Sequence, residues 1–203
     1  MIRDFMRRLT GRGNPVPQSA WEQQFTQGAW EYLQHVDELA RYSVIAGYVQ
    51  YFKAGGSLLD IGCGVGLLPA RLGGEAYSCY CGIDLAHTAI QQAAPRSDAR
   101  TQFVQADAST YVPTQACDTI VFNEILYYFA QPATIVRRYE TYLARDGIFI
   151  ISMMTTTRTA SIWRNLQRRY SVLDQTKVVN QHGFGWRIKV LSQGAQQVDA
   201  APG

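Results

Sequence analysis

A short apolar run that ends in three closely spaced glycines constrains the fold of this chain most. Residues 58–61 are Leu-Leu-Asp-Ile, and Gly62, Gly64 and Gly66 follow at alternate positions. Glycine tolerates positive φ and lets a ligand approach the backbone, and a helix after such a turn offers unpaired N–H groups to polar atoms. The segment therefore predicts a strand, a ligand-binding turn and a helix over residues 67–72. A glycine turn that binds nothing is the alternative.

The spacing of these glycines argues against a dinucleotide. A dinucleotide fingerprint that starts at Gly62 and Gly64 requires its third glycine at position 67, where this chain has Leu67. The third glycine, Gly66, lies one position earlier. The displacement disfavours a pyrophosphate cradle. A nicotinamide-dependent oxidoreductase is weakened further because the sequence contains no Tyr-x-x-x-Lys pair.

Strand-like and helix-like stretches alternate after the glycines. Such alternation predicts a parallel sheet with helices on both faces, because parallel neighbours need a crossover long enough to hold a helix. The predicted strands cover residues 57–61, 80–85, 101–106, 119–123 and 147–153, and the predicted helices cover residues 88–94 and 133–143.

The carboxyl-terminal part follows a different pattern. A predicted helix over residues 160–169 precedes two β-branched stretches, residues 172–179 and 186–191, which only six residues separate. So short a connection joins antiparallel strands and cannot form a parallel crossover. We therefore predict a doubly wound α/β fold whose mostly parallel sheet ends in an antiparallel hairpin.

The chain is expected to form one domain with two flexible ends. Its 203 residues are 47% apolar and 17% charged, a composition that suits one soluble core without metals or disulfides. Apolar and aromatic residues recur every three or four positions between residues 19 and 52, which predicts a helical segment over residues 18–54. We expect a mobile basic arm over residues 1–17, a single domain over residues 18–193 and a flexible tail over residues 194–203.

Charge and hydropathy exclude several functions. The net charge of +3 is reached within the first twelve residues, where Arg3, Arg7, Arg8 and Arg12 outweigh Asp4, so the rest of the chain is nearly neutral. A long basic face for nucleic acid is therefore not expected. No apolar run approaches the roughly 20 residues of a membrane helix, and the basic start lacks the apolar stretch of a secretory signal. We expect a cytoplasmic protein with no membrane span.

The four cysteines are expected to be structural. Cys63, Cys79, Cys81 and Cys117 form no paired C-x-x-C pattern and have no histidine at zinc-ligand spacing. Cys79 and Cys81 share one face of a predicted strand, which suits small buried apolar residues. No metal site is predicted.

Three successive predicted strands end in a carboxylate. Asp60 closes the first strand, Asp84 the second and Asp107 follows the third. An acid at the end of the second strand can accept both hydroxyls of a ribose, because its two oxygens match two vicinal donors. Asp107 is suited to accept from an adenine amino group. Together the three acids repel a pyrophosphate and favour a cationic nucleoside.

These residues resemble the class I S-adenosylmethionine-dependent methyltransferases, and among them the small bacterial enzymes that modify sugars, amines and natural products. The resemblance covers residues 58–191. It depends on four motifs together: Leu-Leu-Asp-Ile-Gly-Cys-Gly-Val-Gly at 58–66, Gly-Ile-Asp-Leu at 82–85, Gln-Ala-Asp-Ala at 105–108, and Asp-Thr-Ile-Val-Phe-Asn-Glu-Ile-Leu-Tyr-Tyr at 118–128.

The resemblance implies a seven-stranded Rossmann-like methyltransferase fold with S-adenosylmethionine as cofactor. It puts the glycine turn at the methionine part of the cofactor, the second strand at the ribose and the third at the adenine. The predicted helix over residues 21–52 resembles the N-terminal lid of such enzymes, in which Trp30 or Tyr32 covers the site. An amphipathic helix with Arg41 in solvent is the alternative. The implied cofactor-binding residues are Arg41, Asp60, Gly62, Gly64, Gly66, Asp84, Leu85, Asp107, Ala108 and Asn123.

Candidates for the acceptor side follow the fourth predicted strand. The resemblance places Asn123 and Glu124 beside the sulfonium and the substrate. The candidate catalytic residues are Glu124, Tyr127 and His182. The alternative for Tyr127 and for the neighbouring Tyr128 is simple packing under the next helix, and the alternative for His182 is an ordinary position in a hairpin loop.

The leading hypothesis is an enzyme that moves a methyl group from S-adenosylmethionine to a small-molecule acceptor. Such a transfer mainly requires alignment of donor and acceptor, and removal of a proton where the acceptor carries one. Residues 123–126 are Asn-Glu-Ile-Leu, where DNA and protein-glutamine N-methyltransferases carry Asn- or Asp-Pro-Pro-Tyr, which counts against those substrates. A catalytically inactive S-adenosylmethionine-binding partner or regulatory protein is the alternative.

Overall fold

The chain forms one seven-stranded sheet, and the computed structural model describes residues 16–73 and 75–194. The strands are β1 (Gly56–Ile61), β2 (Tyr77–Asp84), β3 (Thr101–Gln105), β4 (Cys117–Asn123), β5 (Leu143–Met154), β6 (Tyr170–Val179) and β7 (Gly185–Gln193). Their order across the sheet is β3-β2-β1-β4-β5-β7-β6. The first five strands pair in parallel, and β7 lies antiparallel between β5 and β6. The predicted fold class is confirmed. Most of the predicted arm and tail lies outside the described residues.

Five α-helices of the described residues pack around this sheet. They are α1 (Gln18–Thr26), α2 (Val36–Lys53), α3 (His87–Ala93), α4 (Pro132–Glu140) and α5 (Thr157–Leu166). Successive strand residues point to opposite faces, so Leu58 and Leu59 of β1 belong to two different apolar layers, one shared with α2 and the other with α4 and α5. Burial on both faces explains why the central strands are apolar at nearly every position. None of the described helices is both long and apolar enough to cross a bilayer.

The N-terminal segment is not the single helix that its apolar period predicts. It consists of α1, a 3₁₀ turn over Glu31–Gln34, and α2. Gly28 after α1 has a φ of 69°, and His35 before α2 is extended, with φ −73° and ψ 159°. Both residues interrupt the helical hydrogen bonds, while the apolar spacing continues across them. Periodicity alone therefore could not detect the two breaks.

The helix predicted over residues 67–72 is also absent, and only a 3₁₀ turn forms there, over Pro69–Arg71. Pro69 has no N–H to donate to the carbonyl of Val65. Because Gly73 follows within one turn, too few residues remain to offset the cost of helix nucleation. The other predicted elements are found with boundaries shifted by a few residues.

Strands β1, β2, β3 and β4 run parallel and end at one edge of the sheet. Ile61 of β1 pairs with Ile83 of β2 and with Phe122 of β4. Asp84 of β2 pairs with Gln105 of β3. The residues that follow these strands therefore meet at the carboxyl edge, where open α/β sheets bind ligands.

Candidate active site

A cavity of about 520 Å³ lies at the carboxyl edge of β1, β2 and β4. Nine aromatic and six charged residues line it within the described part of the chain. Two predicted site residues, Gly66 and His182, are not among the lining residues. The cavity brings together the other predicted site residues: Arg41, Asp60, Gly62, Gly64, Asp84, Leu85, Asp107, Ala108, Asn123, Glu124 and Tyr127.

The three glycines of the turn have different surroundings. A Cβ on Gly66 would lie 2.6 Å from the ring of Phe103, and one on Gly62 would lie 2.8 Å from the side chain of Ile125. A Cβ on Gly64 would meet only Phe25, at 3.9 Å. Gly62 and Gly66 are therefore required by packing, and Gly66 does not line the cavity. Gly64 is the position at which the backbone lies open to a ligand.

Asp84 connects the end of β2 to the glycine turn. Its Oδ2 accepts the N–H of Gly64 and its Oδ1 accepts the N–H of Ala86, both at 2.9 Å. Burial raises the pKa of Asp84 to about 6, against the effect of these hydrogen bonds. A carboxylate offers about four lone-pair positions, and the backbone donors do not use all of them, so Asp84 can still accept from a ligand.

Asp60 is the most deeply buried carboxylate of the cavity, with 2% of its surface exposed. Its Oδ2 accepts the hydroxyl of Tyr80 at 2.7 Å, whereas its Oδ1 has no hydrogen-bond partner among the described residues. Burial, and to a smaller extent the charge of Asp84, raises the pKa of Asp60 to about 7. An incompletely paired buried carboxylate is costly without a donor or a cation beside it.

Arg41 is buried at 1% exposure in α2, which rules out the solvent-exposed alternative. Its Nη2 donates to Oε2 of Glu38 at 2.7 Å, and its Nη1 donates to Oδ1 of Asn123. The guanidinium carbon lies 4.6 Å from the ring centre of Tyr42 and 5.7 Å from that of Trp186. Burial acts to lower the pKa of Arg41, but Tyr42 and the nearby carboxylates raise it overall. Arg41 therefore stays charged and fixes Asn123.

Glu124 follows β4 in the left-handed region, with a φ of 60°. Such a conformation costs a non-glycine residue roughly 1–2 kcal/mol, so its surroundings must hold it. Its Oε1 accepts the Ser152 hydroxyl at 2.9 Å, and its Oε2 accepts the Tyr127 hydroxyl and the Met154 N–H, both at 3.0 Å. Burial raises the pKa of Glu124, with Arg41 opposing the shift.

Four aromatic residues of the N-terminal segment, Trp21, Phe25, Trp30 and Tyr32, line one side of the cavity. The ring centres of Trp21 and Trp30 are 5.9 Å apart, as are those of Phe25 and Trp30. Trp21 also meets the ring of Tyr128 edge-on at 4.8 Å. We call this set of four residues the aromatic wall. It includes Trp30 and Tyr32, the two residues that the resemblance expects to cover the site.

Glu22 attaches this wall to the body of the protein. Its carboxylate accepts the N–H groups of His87 and Thr88, at 2.6 and 2.9 Å, at the start of α3. Burial acts to raise the pKa of Glu22, but these hydrogen bonds hold it at about 2. A carboxylate at this position satisfies the unpaired donors of a helix N-terminus.

The other predicted residues lie toward or beyond the margin of the cavity. Asp107 is exposed, and its Oδ1 accepts the Ser109 N–H at 2.7 Å. His182 lies in the β6–β7 turn with 57% of its side chain exposed, and its Nε2 is 3.2 Å from Oδ2 of Asp37. The structure therefore does not bring His182 to the cavity. The described residues contain no group of His, Cys, Asp and Glu side chains suited to a metal ion.

The sequence alone did not predict three residues of the site, Glu38, Trp186 and Glu22. Glu38 lies one helical turn before Arg41, and this i, i+3 spacing of opposite charges was a usable signal. Trp186 enters the cavity from β7 and Glu22 reaches α3 across 65 residues, and neither contact has a local sequence signal.

Comparison with known proteins identifies the family. A family profile described as "Methyltransferase domain" matches residues 25–193. The chain belongs to this methyltransferase family. Trans-aconitate 2-methyltransferase from Methylobacterium radiotolerans is 30% identical over 96 residues, which cover 47% of this chain and 36% of that protein. The chain thus spans about a third of the curated relative that it matches.

Solved structures have the same fold as this chain. The N-methyltransferase NodS from Bradyrhizobium japonicum WM9, in complex with S-adenosyl-L-homocysteine, has a TM-score of 0.72 at 17% identity and covers 86% of this chain and 98% of its own. The 1,6-didemethyltoxoflavin-N1-methyltransferase from Burkholderia thailandensis has a TM-score of 0.75 at 17% identity, covering 88% of this chain and 87% of its own. At these identities the likeness extends to the fold alone.

Proposed function

We propose that this methyltransferase binds S-adenosylmethionine in the cavity and transfers its methyl group to a small-molecule acceptor. The observation that carries the proposal is the charge of the cavity. Five carboxylates and one arginine line it in the described part of the chain, and one carboxylate, Asp60, has a buried oxygen without a partner. Such a lining favours a cationic ligand over a phosphate-bearing one.

The residues present fit the amino acid part and the ribose of S-adenosylmethionine. The cofactor supplies a methyl group on a positively charged sulfur, next to an ammonium and a ribose. The Oδ1 of Asp60, which has no hydrogen-bond partner among the described residues, and the accessible backbone at Gly64 suit the amino acid part of the cofactor. The unused lone pairs of Asp84 suit the ribose hydroxyls. We assign to the cofactor Asp60, Gly62, Gly64, Asp84, Leu85, Asp107, Ala108 and Asn123. Arg41, which the resemblance implies as a cofactor-binding residue, is paired with Glu38, and we assign it to the acceptor side.

The acceptor side is assigned to the part of the cavity beyond β4. Glu124 and Tyr127 lie there, joined by a hydrogen bond of 3.0 Å, with Glu124 as the group able to receive a proton. The aromatic wall gives the cavity an apolar side, which suits a small organic acceptor. A small acceptor suits a cavity of about 520 Å³ that must also hold the cofactor.

Calorimetry and a product assay test this function. S-adenosylmethionine and S-adenosylhomocysteine should bind saturably and NAD should not, and release of S-adenosylhomocysteine should depend on an added acceptor. Asp84→Asn should weaken cofactor binding by roughly ten- to a hundredfold, because it removes a charged acceptor of hydrogen bonds. The exposed Asp146→Asn is the matched control and should bind normally. Failure of both cofactor forms to bind would refute the proposal, and binding without product from a broad acceptor panel would favour an inactive partner protein.

A further inference from the structure

The sheet order divides the charged groups of the cavity into two sets. Asp60, Asp84 and Asp107 follow or end β1, β2 and β3, on the side assigned to the cofactor. Glu124 follows β4 on the other side of β1, and there it meets Arg41, which α2 contributes. The second set defines the acceptor side.

The charges of the acceptor side disfavour an anionic acceptor. Arg41 is the only cationic side chain among the described residues that line the cavity, and Glu38 already lies 2.7 Å from its Nη2. Glu124 adds a second carboxylate, so Glu38, Arg41 and Glu124 together carry one more negative than positive charge. A carboxylate on the acceptor would have to displace Glu38 from Arg41, whereas an ammonium would balance the excess charge.

Glu124 has room for one further donor. Three hydrogen bonds, from Ser152, Tyr127 and Met154, occupy its two oxygens, and a carboxylate can accept about four. Because these three donors come from the protein itself, they orient the carboxylate before any acceptor arrives. The remaining position suits an N–H group of an acceptor.

Aromatic rings lie beside this carboxylate. The hydroxyl of Tyr127 is bound to Glu124, and the ring of Tyr128 lies 4.7 Å from that of Tyr127 and 4.8 Å from that of Trp21. Ring faces attract ammonium groups and stack on flat apolar bodies. A carboxylate next to several rings is an arrangement that recognises amines.

We propose that the acceptor is an amine on a flat apolar body, an inference that rests on the proposed function. The amine enters as its ammonium and gives a proton to Glu124. In this step one N–H bond breaks and its electron pair stays on nitrogen, while a new O–H bond forms on Glu124. The positive ammonium and the negative carboxylate both become neutral. The nitrogen then has the free lone pair that methylation requires.

Two probes that share a phenylethyl body and carry opposite charges test the acceptor class by binding alone. Phenethylamine and 3-phenylpropionate are titrated by calorimetry into the full chain saturated with S-adenosylhomocysteine. Phenethylamine should bind roughly ten- to a hundredfold more tightly, the range expected when a charge-assisted hydrogen bond is gained. Glu124→Gln should remove most of this preference without changing the affinity for S-adenosylhomocysteine, and Asp146→Asn should change neither.

A second variant separates charge recognition from a structural role. Glu38→Gln leaves Arg41 without its ionic partner, so the preference should move toward 3-phenylpropionate, which a general loss of structure cannot produce. If S-adenosylhomocysteine itself does not bind, the proposed function fails. If S-adenosylhomocysteine binds but 3-phenylpropionate binds as well as or better than phenethylamine, or neither probe binds, the amine assignment is wrong.

Discussion

The glycine-turn side of the cavity and the aromatic wall are held by different kinds of contact. On the first side, backbone groups of the turn bond to the sheet: the N–H groups of Gly62 and Cys63 donate to the carbonyl of Ile83, and that of Gly64 donates to Asp84. The wall is held by side chains, through ring contacts and the carboxylate of Glu22. We therefore expect the first side to be as stable as the sheet and the wall to open by local rearrangement.

This difference bears on function because the wall lines the cavity that the ligands enter and leave. Local opening costs less free energy than global unfolding, and segments that carry few backbone bonds to the core open most readily. We expect the glycine turn to set affinity for the cofactor and the wall to set the rate at which ligands enter and leave.

Substitutions of two glycines should have the largest effects and should separate packing from binding within the turn. Gly66→Ala combines positive φ with a Cβ 2.6 Å from Phe103, so the free energy of unfolding should fall by about 2–5 kcal/mol. Gly64→Ala has space and should lose only about 1–2 kcal/mol, yet it should weaken cofactor binding more. Urea unfolding and calorimetry measure both quantities, and equal losses of stability would contradict the distinction.

Asp60→Asn should increase the free energy of unfolding at pH 8 and decrease the affinity for the cofactor. The pKa of Asp60 is about 7 in the folded protein against 3.8 for an ordinary aspartate, so between these values the folded state holds a proton that the unfolded state has lost. The free energy of unfolding therefore falls as the pH rises through this window, and Asp84, with a pKa of about 6, adds to the fall.

The asparagine variant removes the contribution of Asp60, so at pH 8 it should be more stable than the parent by about 1–3 kcal/mol, after allowance for its own buried amide. Thermal unfolding at pH 5 and pH 8 measures the difference, and the gain should be smaller at pH 5. Cofactor affinity should decrease, because a neutral amide attracts a cation less than a carboxylate does. A variant less stable than the parent at pH 8 would show that the charge of Asp60 is paired in the free protein.

The two sides also differ in how far the sequence predicts them. The acids at the ends of β1 to β3 and the glycine turn are local patterns, and register brings them together because parallel strands end at one edge. The wall depends on breaks at Gly28 and His35 and on contacts such as Glu22 with α3, which join residues far apart in the chain. His182 lies outside the cavity lining, because a position near the last strand does not by itself bring a side chain into the cavity.

Tyr127→Phe should separate acceptor chemistry from cofactor binding. The substitution keeps the ring and removes only the hydroxyl that donates to Glu124 at 3.0 Å. We expect affinity for S-adenosylhomocysteine to change by less than about twofold and turnover to fall roughly tenfold, because a single orienting hydrogen bond contributes about 1 kcal/mol or slightly more. Calorimetry and S-adenosylhomocysteine release measure the two quantities. Equal losses would place Tyr127 at the cofactor, and no loss would leave it a packing residue.

The smallest effect is expected from Glu22→Gln, which weakens the attachment of the aromatic wall without altering its rings. A charged carboxylate at a helix N-terminus contributes about 0.3–1 kcal/mol, and a neutral amide retains only part of this. Amide hydrogen exchange in α1 should therefore accelerate severalfold at pH 7, while exchange in β1 and β4 should stay at the parental rate. Glu75→Gln, at an exposed position outside the cavity, is the control.

The pH dependence of this attachment sharpens the same test. The pKa of Glu22 is lowered to about 2 in the folded protein from 4.5, so its contribution is complete above pH 4.5 and is lost as the pH falls toward 2. Exchange in α1, corrected for the intrinsic rate, should accordingly approach that of Glu22→Gln under acid conditions before the sheet is affected. If α1 and the central strands instead exchange together in the parent and in the variant, the wall opens only with global unfolding, and the two sides of the cavity form one cooperative unit.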